Sequence, residues 1–380
     1  MPLEELFRRM DAIVAAYGPG TVVQISGGEP TLRNREELVA IMRGAADRRL
    51  VPALFTNGIR ASRELLRDLK KAGLRDIAFH VDMTQNRHGF ASETALHILR
   101  KSYIERARGL GLRVMFNTTI FPGNYGDVPE IARFFVEHAR EVVLASFQIQ
   151  AETGRGVLRS LEGMITQLGL IERLSSGAGA KLSCNVPMIG HPDCNRYTGI
   201  LVADGRVVPL FDNPDLWRKL VRAFRNYPLR PKQPIRNGFR GAAVLVRRPL
   251  LLAEFAAYAT GRVWRLRHDL LRSRGRIDKL SFHVHNFMDE TKLERRRCEA
   301  CVFKVATAGG AISMCVHNAK RDTYILAPVP RLIAGRQRLW DPTTGQLLDD
   351  QILDIGKRKP MALPAKRRKG RTRDRSGAMV

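Results

Sequence analysis

Cysteine is scarce in the first half of this 380-residue chain, and long apolar runs are missing from all of it. The five cysteines all lie at or after Cys184. No stretch of about eighteen uninterrupted apolar residues occurs, and no basic-apolar leader is present, so neither a membrane-spanning helix nor a secretory signal is indicated. We therefore expect a cytoplasmic protein with reduced thiols available for metal, with association to a membrane surface as an alternative.

Acidic and aromatic residues are also few. The chain has 64 Lys and Arg against 37 Asp and Glu, a formal net charge of +27, and 7% aromatic residues. Such a charge is typical of proteins that bind nucleic acid or anionic membranes. Many of the basic residues, however, lie between Lys357 and Arg375 among prolines and a glycine, which predicts a disordered basic tail over 357–380. Because no RNA-binding aromatic signature is visible, we do not expect nucleic acid as a partner.

The residues that are present predict an α/β fold. Six apolar runs read as strands, over 21–26, 51–57, 76–82, 113–120, 141–150 and 181–188. Connecting segments such as 35–48 and 62–73 carry apolar residues at helical spacing, and Gly73 is placed as a helix cap. Alternating strands and helices predict β-α-β units with a parallel sheet, which we assign to residues 1–212.

The pattern changes after the predicted sheet. Residues 213–275 are basic and predict a helical insertion or lid, 276–330 are rich in cysteine, and 331–356 form a C-terminal extension before the tail. Arginines beside leucines, as at Arg247 and Arg248, suit docking on an anionic bilayer surface. Packing into the protein core is the other interpretation of the same apolar residues.

Polar residues end five of the predicted strands, where parallel sheets bind their ligands. They are Gly27-Gly28-Glu29-Pro30, Asn57, Asp82, Asn117 and Gln148 or Gln150. Glu29 can accept hydrogen bonds from a cation such as an ammonium group, and Asp82 can accept from both hydroxyls of a ribose. Asn117 and Gln148 could complete the pocket. Glu29 could instead start the next helix, and Asn57-Gly58 could be only a turn.

A second candidate site is the pair Cys298 and Cys301 followed by Cys315. Two thiols separated by two residues can reach one metal, and residues 302–315 between them and the third thiol predict a β-hairpin turning at Gly309-Gly310. We choose Cys194, in a loop after the last predicted strand, as the fourth ligand. Spacing alone leaves zinc and an iron–sulfur cluster open, with zinc slightly favoured.

Three further residues have two interpretations each. Cys184 is either a buried strand thiol or a ligand or substrate contact. His285 and His317 could replace a thiolate, although loop histidines are more often held by hydrogen bonds.

The segment Gly-Gly-Glu-Pro-Thr-Leu at 27–32, followed by Leu-Phe-Thr-Asn-Gly at 54–58, resembles the radical S-adenosylmethionine (radical SAM) superfamily over residues 20–155. The resemblance implies a partial (β/α)6 TIM-like barrel in which the Gly-Gly-Glu strand holds the methionyl amine of S-adenosylmethionine. It also implies a 4Fe–4S cluster, a reducing electron donor, and a 5′-deoxyadenosyl radical that abstracts hydrogen from a small-molecule or lipid substrate.

The chain departs from that superfamily because it has no cysteine before Cys184, where members carry a C-x3-C-x2-C cluster loop. We expect an N-terminally truncated chain that lacks the first barrel unit. The alternatives are a catalytically inactive binding relative and a peripheral membrane-docking protein. Residues 181–200 and 280–325 also resemble, more weakly, a subgroup with auxiliary clusters that includes tetraether lipid synthases and pterin methylases. That second resemblance favours iron–sulfur over zinc at Cys194, Cys298, Cys301 and Cys315.

Overall fold

A computed structural model describes residues 1–152, 165–227 and 234–348 of the chain. The chain divides into two compact units, Met1–Arg321 and Asp322–Val380. The predicted basic tail, 357–380, lies outside the described residues, as does the end of the predicted extension from 349 onwards. The other predicted domain boundaries stay predictions.

The first unit is built around one eight-stranded sheet with strand order β1-β2-β3-β4-β5-β8-β6-β7. The strands are β1 Val22–Ile25, β2 Val51–Thr56, β3 Asp76–His80, β4 Arg113–Ile120, β5 Val142–Ile149, β6 Asn195–Ala203, β7 Arg206–Pro209 and β8 Asp278–Asn286. The first six in this order are parallel, and β6 and β7 join as antiparallel neighbours. The α/β class and five of the six predicted strands are confirmed.

Helices cover one face of this sheet. They are α1 Leu3–Tyr17, α2 Arg35–Asp47, α3 Arg63–Lys71, α4 His97–Ala107, α5 Val128–Glu137 and α6 Gln167–Ala178. Phe79, Phe116, Phe147 and Phe282 point from their strands into the core formed with α2 to α6. Because side chains alternate along a strand, the intervening residues lie on the opposite face. These include His80, Asn117, Gln148 and His285, and we call that side the polar face.

The predicted strand at 181–188 is wrong. These residues are irregular, and their alternating Leu182, Cys184 and Val186 are buried without pairing to a strand. The position beside β5 is taken by β8, almost a hundred residues further along the chain, whose Leu280 is fully buried. Apolar residues at alternate positions indicate that alternate side chains are buried, but such burial does not require a hydrogen-bonded partner strand.

A hairpin that we did not predict precedes the helical segment. β6 and β7 are joined by the two-residue turn Asp204-Gly205, a dipeptide strongly typical of hairpins. Val208 of this hairpin packs against Leu266 of the helical segment. The described part of residues 213–275 contains α7 Pro214–Ala223, α8 Pro234–Val246 and α9 Pro249–Arg272. None of the described helices is long and apolar enough to cross a bilayer.

The cysteine-rich region belongs to the same unit as the sheet. It contains α10 Arg295–Glu299, β9 Lys304–Thr307, β10 Gly310–Ser313 and α11 Met314–Ala319. The predicted hairpin is confirmed, but Thr307 pairs with Gly310, so its turn is Ala308-Gly309. Arg9 of α1 donates to the Ala306 carbonyl over 2.9 Å, which ties the first helix to this hairpin.

The second unit is described only over 322–348. It contains a three-stranded antiparallel sheet of β11 Val329–Ile333, β12 Arg336–Trp340 and β13 Leu347–Leu348. Asp341 closes the loop after β12, because its carboxylate accepts from the amide and hydroxyl of Thr343.

Candidate functional site

Glu29 lies just beyond β1 and is held by four hydrogen bonds. Its Oε1 accepts from the amide and hydroxyl of Thr31, at 3.0 and 2.6 Å, and from the Thr56 hydroxyl at 2.6 Å. Its Oε2 accepts only the Asn57 amide, at 2.7 Å. Burial would raise the pKa of Glu29, but these hydrogen bonds outweigh it and lower the pKa, so the side chain is an anion. Oε2 keeps accepting capacity for one further donor.

The two glycines before Glu29 shape the approach to it. Gly27 and Gly28 have φ angles of +98° and +52°, a region in which residues with a side chain are strained. Both are exposed, and a Cβ at either position would meet no atom within 4 Å. Pro30 is buried and starts a short 3-10 turn that ends at Leu32. The glycine turn before Glu29 is therefore open to solvent.

Asn57 joins Glu29 at the end of the neighbouring strand. Its side-chain Oδ1 accepts from the Ile59 amide at 2.9 Å, so the turn-forming interpretation of Asn57-Gly58 fits its side chain. Arg87 donates to the Asn57 carbonyl at 2.6 Å and to the His80 carbonyl at 3.0 Å. A single guanidinium thus holds the ends of β2 and β3 together.

Asp82 lies just beyond the end of β3, and its side chain is buried. Its side chain is 0% exposed, and both oxygens accept bonds, from His80 and the Thr119 amide on one and from Thr84 on the other. Burial favours the neutral acid, but the hydrogen bond and charge of His80 and the other donors lower the pKa to about 2. As placed, Asp82 has no surface to offer ribose hydroxyls. The partly exposed His80, whose Nε2 lies 2.7 Å from Asp82 Oδ2, is the polar group that faces outward.

Asn117 and Gln148 lie together on the polar face. Asn117 Nδ2 donates to Gln148 Oε1 over 2.9 Å, and Gln148 is paired in register with His285 of β8. His285 stands beside His283, with ring centroids 3.9 Å apart. Burial lowers the pKa of His283 to about 4 and holds that of His285 well below its ordinary value, so both imidazoles are neutral. The polar face therefore continues from the predicted cofactor residues to β8.

One pocket at the end of β8 brings the four predicted metal ligands together. Its lining includes Cys194, Cys298, Cys301 and Cys315. His285 lines the same pocket, and His317 is not among its lining residues. Across 1–152, 165–227 and 234–348, no group of three Cys, His, Asp or Glu side chains is arranged to hold a metal in the present positions. One of the four sulfurs has another partner, since Cys301 Sγ donates to the Phe303 carbonyl over 3.1 Å.

Arg297 borders this pocket and is nearly buried. Its Nε donates to Cys194 Sγ over 3.2 Å, and its Nη2 donates to the Asn286 carbonyl over 2.8 Å. Burial raises the pKa of Cys194 and the contact with Arg297 opposes that rise. The fixed cation would offset part of the negative charge that thiolates bring to a metal site.

Cys184 is separate from this group. It is buried beneath the sheet, burial raises its pKa to about 12, and it is not part of the pocket lining. It behaves as an apolar core residue, although in an irregular segment and not in the predicted strand.

Comparison with known proteins identifies the first part of the chain. Residues 1–135 match the sequence model of the Radical SAM superfamily. These residues are therefore similar to the radical SAM superfamily. The match includes the Gly-Gly-Glu turn and the Asn57 strand end, and it contains no cysteine.

A radical SAM relative extends the likeness towards the middle of the chain. The 7,8-dihydro-6-hydroxymethylpterin dimethyltransferase of Methanocaldococcus jannaschii is 30% identical over 237 residues, covering 54% of this chain and 46% of the relative. The chain therefore spans less than half the length of this curated relative.

Solved structures give more distant likenesses. SuiB of Streptococcus suis bound to S-adenosylmethionine is 15% identical, with a TM-score of 0.35 over 46% of this chain and 39% of SuiB. A domain of the pyruvate-formate lyase-activating enzyme of Bacteroides vulgatus is 16% identical, with a TM-score of 0.33 over 43% of this chain and 97% of that domain.

Sequence reasoning missed three residues of these sites. Arg87, in a loop, and Arg297, in α10, each bridge elements that are distant in sequence, and no sequence pattern marks an arginine for such a role. His80 could have been found, because it stands two residues before Asp82 and therefore on the same face of the extended chain.

Proposed function

We propose that this chain is the S-adenosylmethionine-binding part of a radical SAM enzyme acting on a small-molecule or lipid substrate. The observation that carries the proposal is the Glu29 carboxylate, charged and fixed by four donors, beside an open glycine turn. An α-ammonium group is a donor that fits the remaining capacity of Oε2. Because the M. jannaschii relative is named a pterin dimethyltransferase, pterins are the first substrates to test.

The residues present do not provide the cluster that cleaves S-adenosylmethionine in this superfamily. Residues 1–183 contain no cysteine, so we derive no step through that cluster for this chain. What its own residues offer is binding and orientation. Glu29 would receive the ammonium group, Arg87 would fix the strand ends, and the polar row from Asn117 to Gln148 would face the rest of the ligand.

Binding of S-adenosylmethionine to the Glu29→Gln variant tests the assignment. We expect titration calorimetry to show affinity weakened on the order of ten- to a hundredfold, because a charged hydrogen bond to the ammonium group is lost. The matched control is Glu130→Gln, which removes the same charge from an exposed position on α5. Equal affinities of wild type and Glu29→Gln, or no binding by wild type, would refute the proposal.

A second assay separates an enzyme from a binding protein. Protein isolated without oxygen is mixed with dithionite and S-adenosylmethionine, and 5′-deoxyadenosine is measured. Its formation supports the enzyme, whereas Glu29-dependent binding without any cleavage supports a binding role for this chain, as expected of residues that lack the cluster cysteines.

We also propose that Cys194, Cys298, Cys301 and Cys315 hold one metal centre, an iron–sulfur cluster before zinc. Support comes from their shared pocket and from the soft thiolate chemistry that both centres prefer. Binding would require the sulfurs to exchange their contacts with Arg297 and Phe303 for the metal. When bound, such a centre can transfer an electron, anchor substrate or brace the hairpin.

Metal analysis of the Cys298→Ser, Cys301→Ser double variant tests this centre. We expect iron or zinc bound to the protein to be lost, since two of four ligands are removed. Cys184→Ala is the matched control, because that thiol is buried away from the pocket, and it should keep the metal. The iron-to-zinc ratio and visible absorbance of wild type decide which metal is present. Metal retained by the double variant would show that other residues hold the metal.

A further inference from the structure

The helical segment presents large apolar side chains to solvent in a regular order. On α8, Ile235, Phe239 and Val246 are 75, 75 and 65% exposed. Spacings of four and seven residues place them on one side of a helix. On the side of α8 that faces the protein, residues such as Gly241 are half-buried, and Gly241 lies against Phe224. The exposed residues therefore form a stripe that the fold leaves uncovered.

α9 repeats this arrangement. Leu250, Trp264 and Leu271 are 86, 65 and 79% exposed, and their spacings of fourteen and seven residues, read from their numbers, again define one side. The opposite side fixes the helix to the protein, because Leu266 is buried against the β6–β7 hairpin and Arg262 contacts Asp212. The exposed side is therefore not needed to hold α9 in place.

Arginines flank the stripe on α8. Arg236 and Arg240 are exposed and, four residues apart, align beside the apolar stripe, and the exposed Arg247 follows directly after the last residue of the helix. Within the described residues, none of the three has an ion pair with an acidic side chain. The two acids between Pro234 and Arg272 are engaged elsewhere, Glu254 with Lys219 and Asp269 with Arg206 and Arg272.

We propose that α8, with the exposed side of α9, docks this protein on an anionic lipid surface. An apolar stripe bordered by arginines is the arrangement of a helix that lies in the plane of a membrane interface. Trp264 suits the headgroup level, and Arg267 stacks over its ring at 4.4 Å. A second copy of the chain is a poorer occupant, because a self-complementary contact would bring the arginine-rich helices of two copies together. The proposal is independent of the assignments of Glu29 and the cysteines.

Co-sedimentation of the full chain with vesicles tests the proposal. One set of vesicles is phosphatidylcholine alone, and the other is phosphatidylcholine mixed with phosphatidylserine. We expect binding at least about tenfold tighter to the mixed vesicles. Changing Arg236, Arg240 and Arg247 together to Gln should weaken that binding on the order of a hundredfold, the effect of three arginines near an anionic surface.

A matched control distinguishes the effect of this surface on vesicle binding from the effect of the net charge. Arg43, Arg67 and Arg140 are exposed on or beside α2, α3 and α5, and changing all three to Gln removes the same charge. We expect that control to bind within about twofold of wild type, because charges away from the lipid are screened. An equal loss in both triple variants would overturn the proposal.

The apolar stripe needs its own test, because the basic residues at 357–380 could bind anionic lipid by charge alone. Ile235→Gln with Phe239→Gln keeps every charge and changes only exposed side chains. We expect it to lose at least about tenfold in affinity for the mixed vesicles. Unchanged binding would assign the contact to the basic tail. Absence of wild-type binding, with association of two copies or with an acidic protein instead, would also overturn the proposal.

Discussion

At Asp82, burial and hydrogen bonding act in opposite directions on a single carboxyl group. The donors prevail and hold the pKa at about 2, below the ordinary value of 3.8. A carboxyl group whose pKa is lower in the folded state stabilises the fold above its unfolded pKa, and that contribution is lost as pH falls through the folded pKa. Asp82 should therefore contribute about 2 kcal/mol at neutral pH, lost between about pH 4 and pH 2.

Urea unfolding of Asp82→Asn as a function of pH checks this prediction. We expect the variant to be less stable than wild type at neutral pH, and the difference to shrink as the solution is acidified below about pH 4. Asp47→Asn, at an exposed position near the end of α2, is the control and should follow wild type. A difference that stays constant down to about pH 2 would contradict the prediction.

At the scale of one element, the turn after β2 depends on Gly58. Its φ angle is +78°, and a Cβ there would lie 2.3 Å from the Tyr103 ring. Tyr103 is 1% exposed and its hydroxyl accepts from Arg87, so the ring has little freedom to move. This packing joins α4 to the strand ends beside Glu29.

We expect Gly58→Ala to lower the free energy of unfolding by about 2–4 kcal/mol, combining backbone strain with overpacking. Gly179→Ala is the matched control, because Gly179 is in the left-handed conformation, with a φ of +67°, and has no atom within 4 Å of a Cβ. This control should lower the free energy of unfolding by only the contribution of backbone strain, about 1 kcal/mol. Chemical unfolding of both variants measures the difference, and equal losses would show that the Tyr103 contact does not matter.

The strands were predicted correctly where strands that are consecutive in sequence are also neighbours in the sheet. Glu29 and Asn57 end consecutive parallel strands, and the register of β1 with β2 explains why their ends meet. β8 was not predicted for the opposite reason, because the β6–β7 hairpin and the four helices α6 to α9 lie between β5 and β8 in the described sequence. The sequence also marked Glu29 without revealing its donors, since the Thr56 hydroxyl and the Asn57 amide reach it only through the sheet.

At the scale of the whole molecule, the two candidate sites share β8 and the polar face. Gln148 pairs with His285, and His285 lines the pocket of the four cysteines. The spacing of Cys298, Cys301 and Cys315, with the loop position of Cys194, led us to predict this cysteine group. The structure adds that the cysteine pocket adjoins the predicted cofactor residues. This continuity could not be read from the sequence, because it depends on the late strand β8.

Between Pro234 and Arg272 the chain has eight arginines and no lysine. Lysine charge can be removed by acetylation, whereas an arginine guanidinium stays protonated in proteins and keeps its charge even when methylated. The positive charge of these arginines therefore cannot be removed by acetylation and does not change over the physiological pH range. Attachment through it would respond to salt and to the lipid composition of the opposing membrane, so control would rest with the membrane.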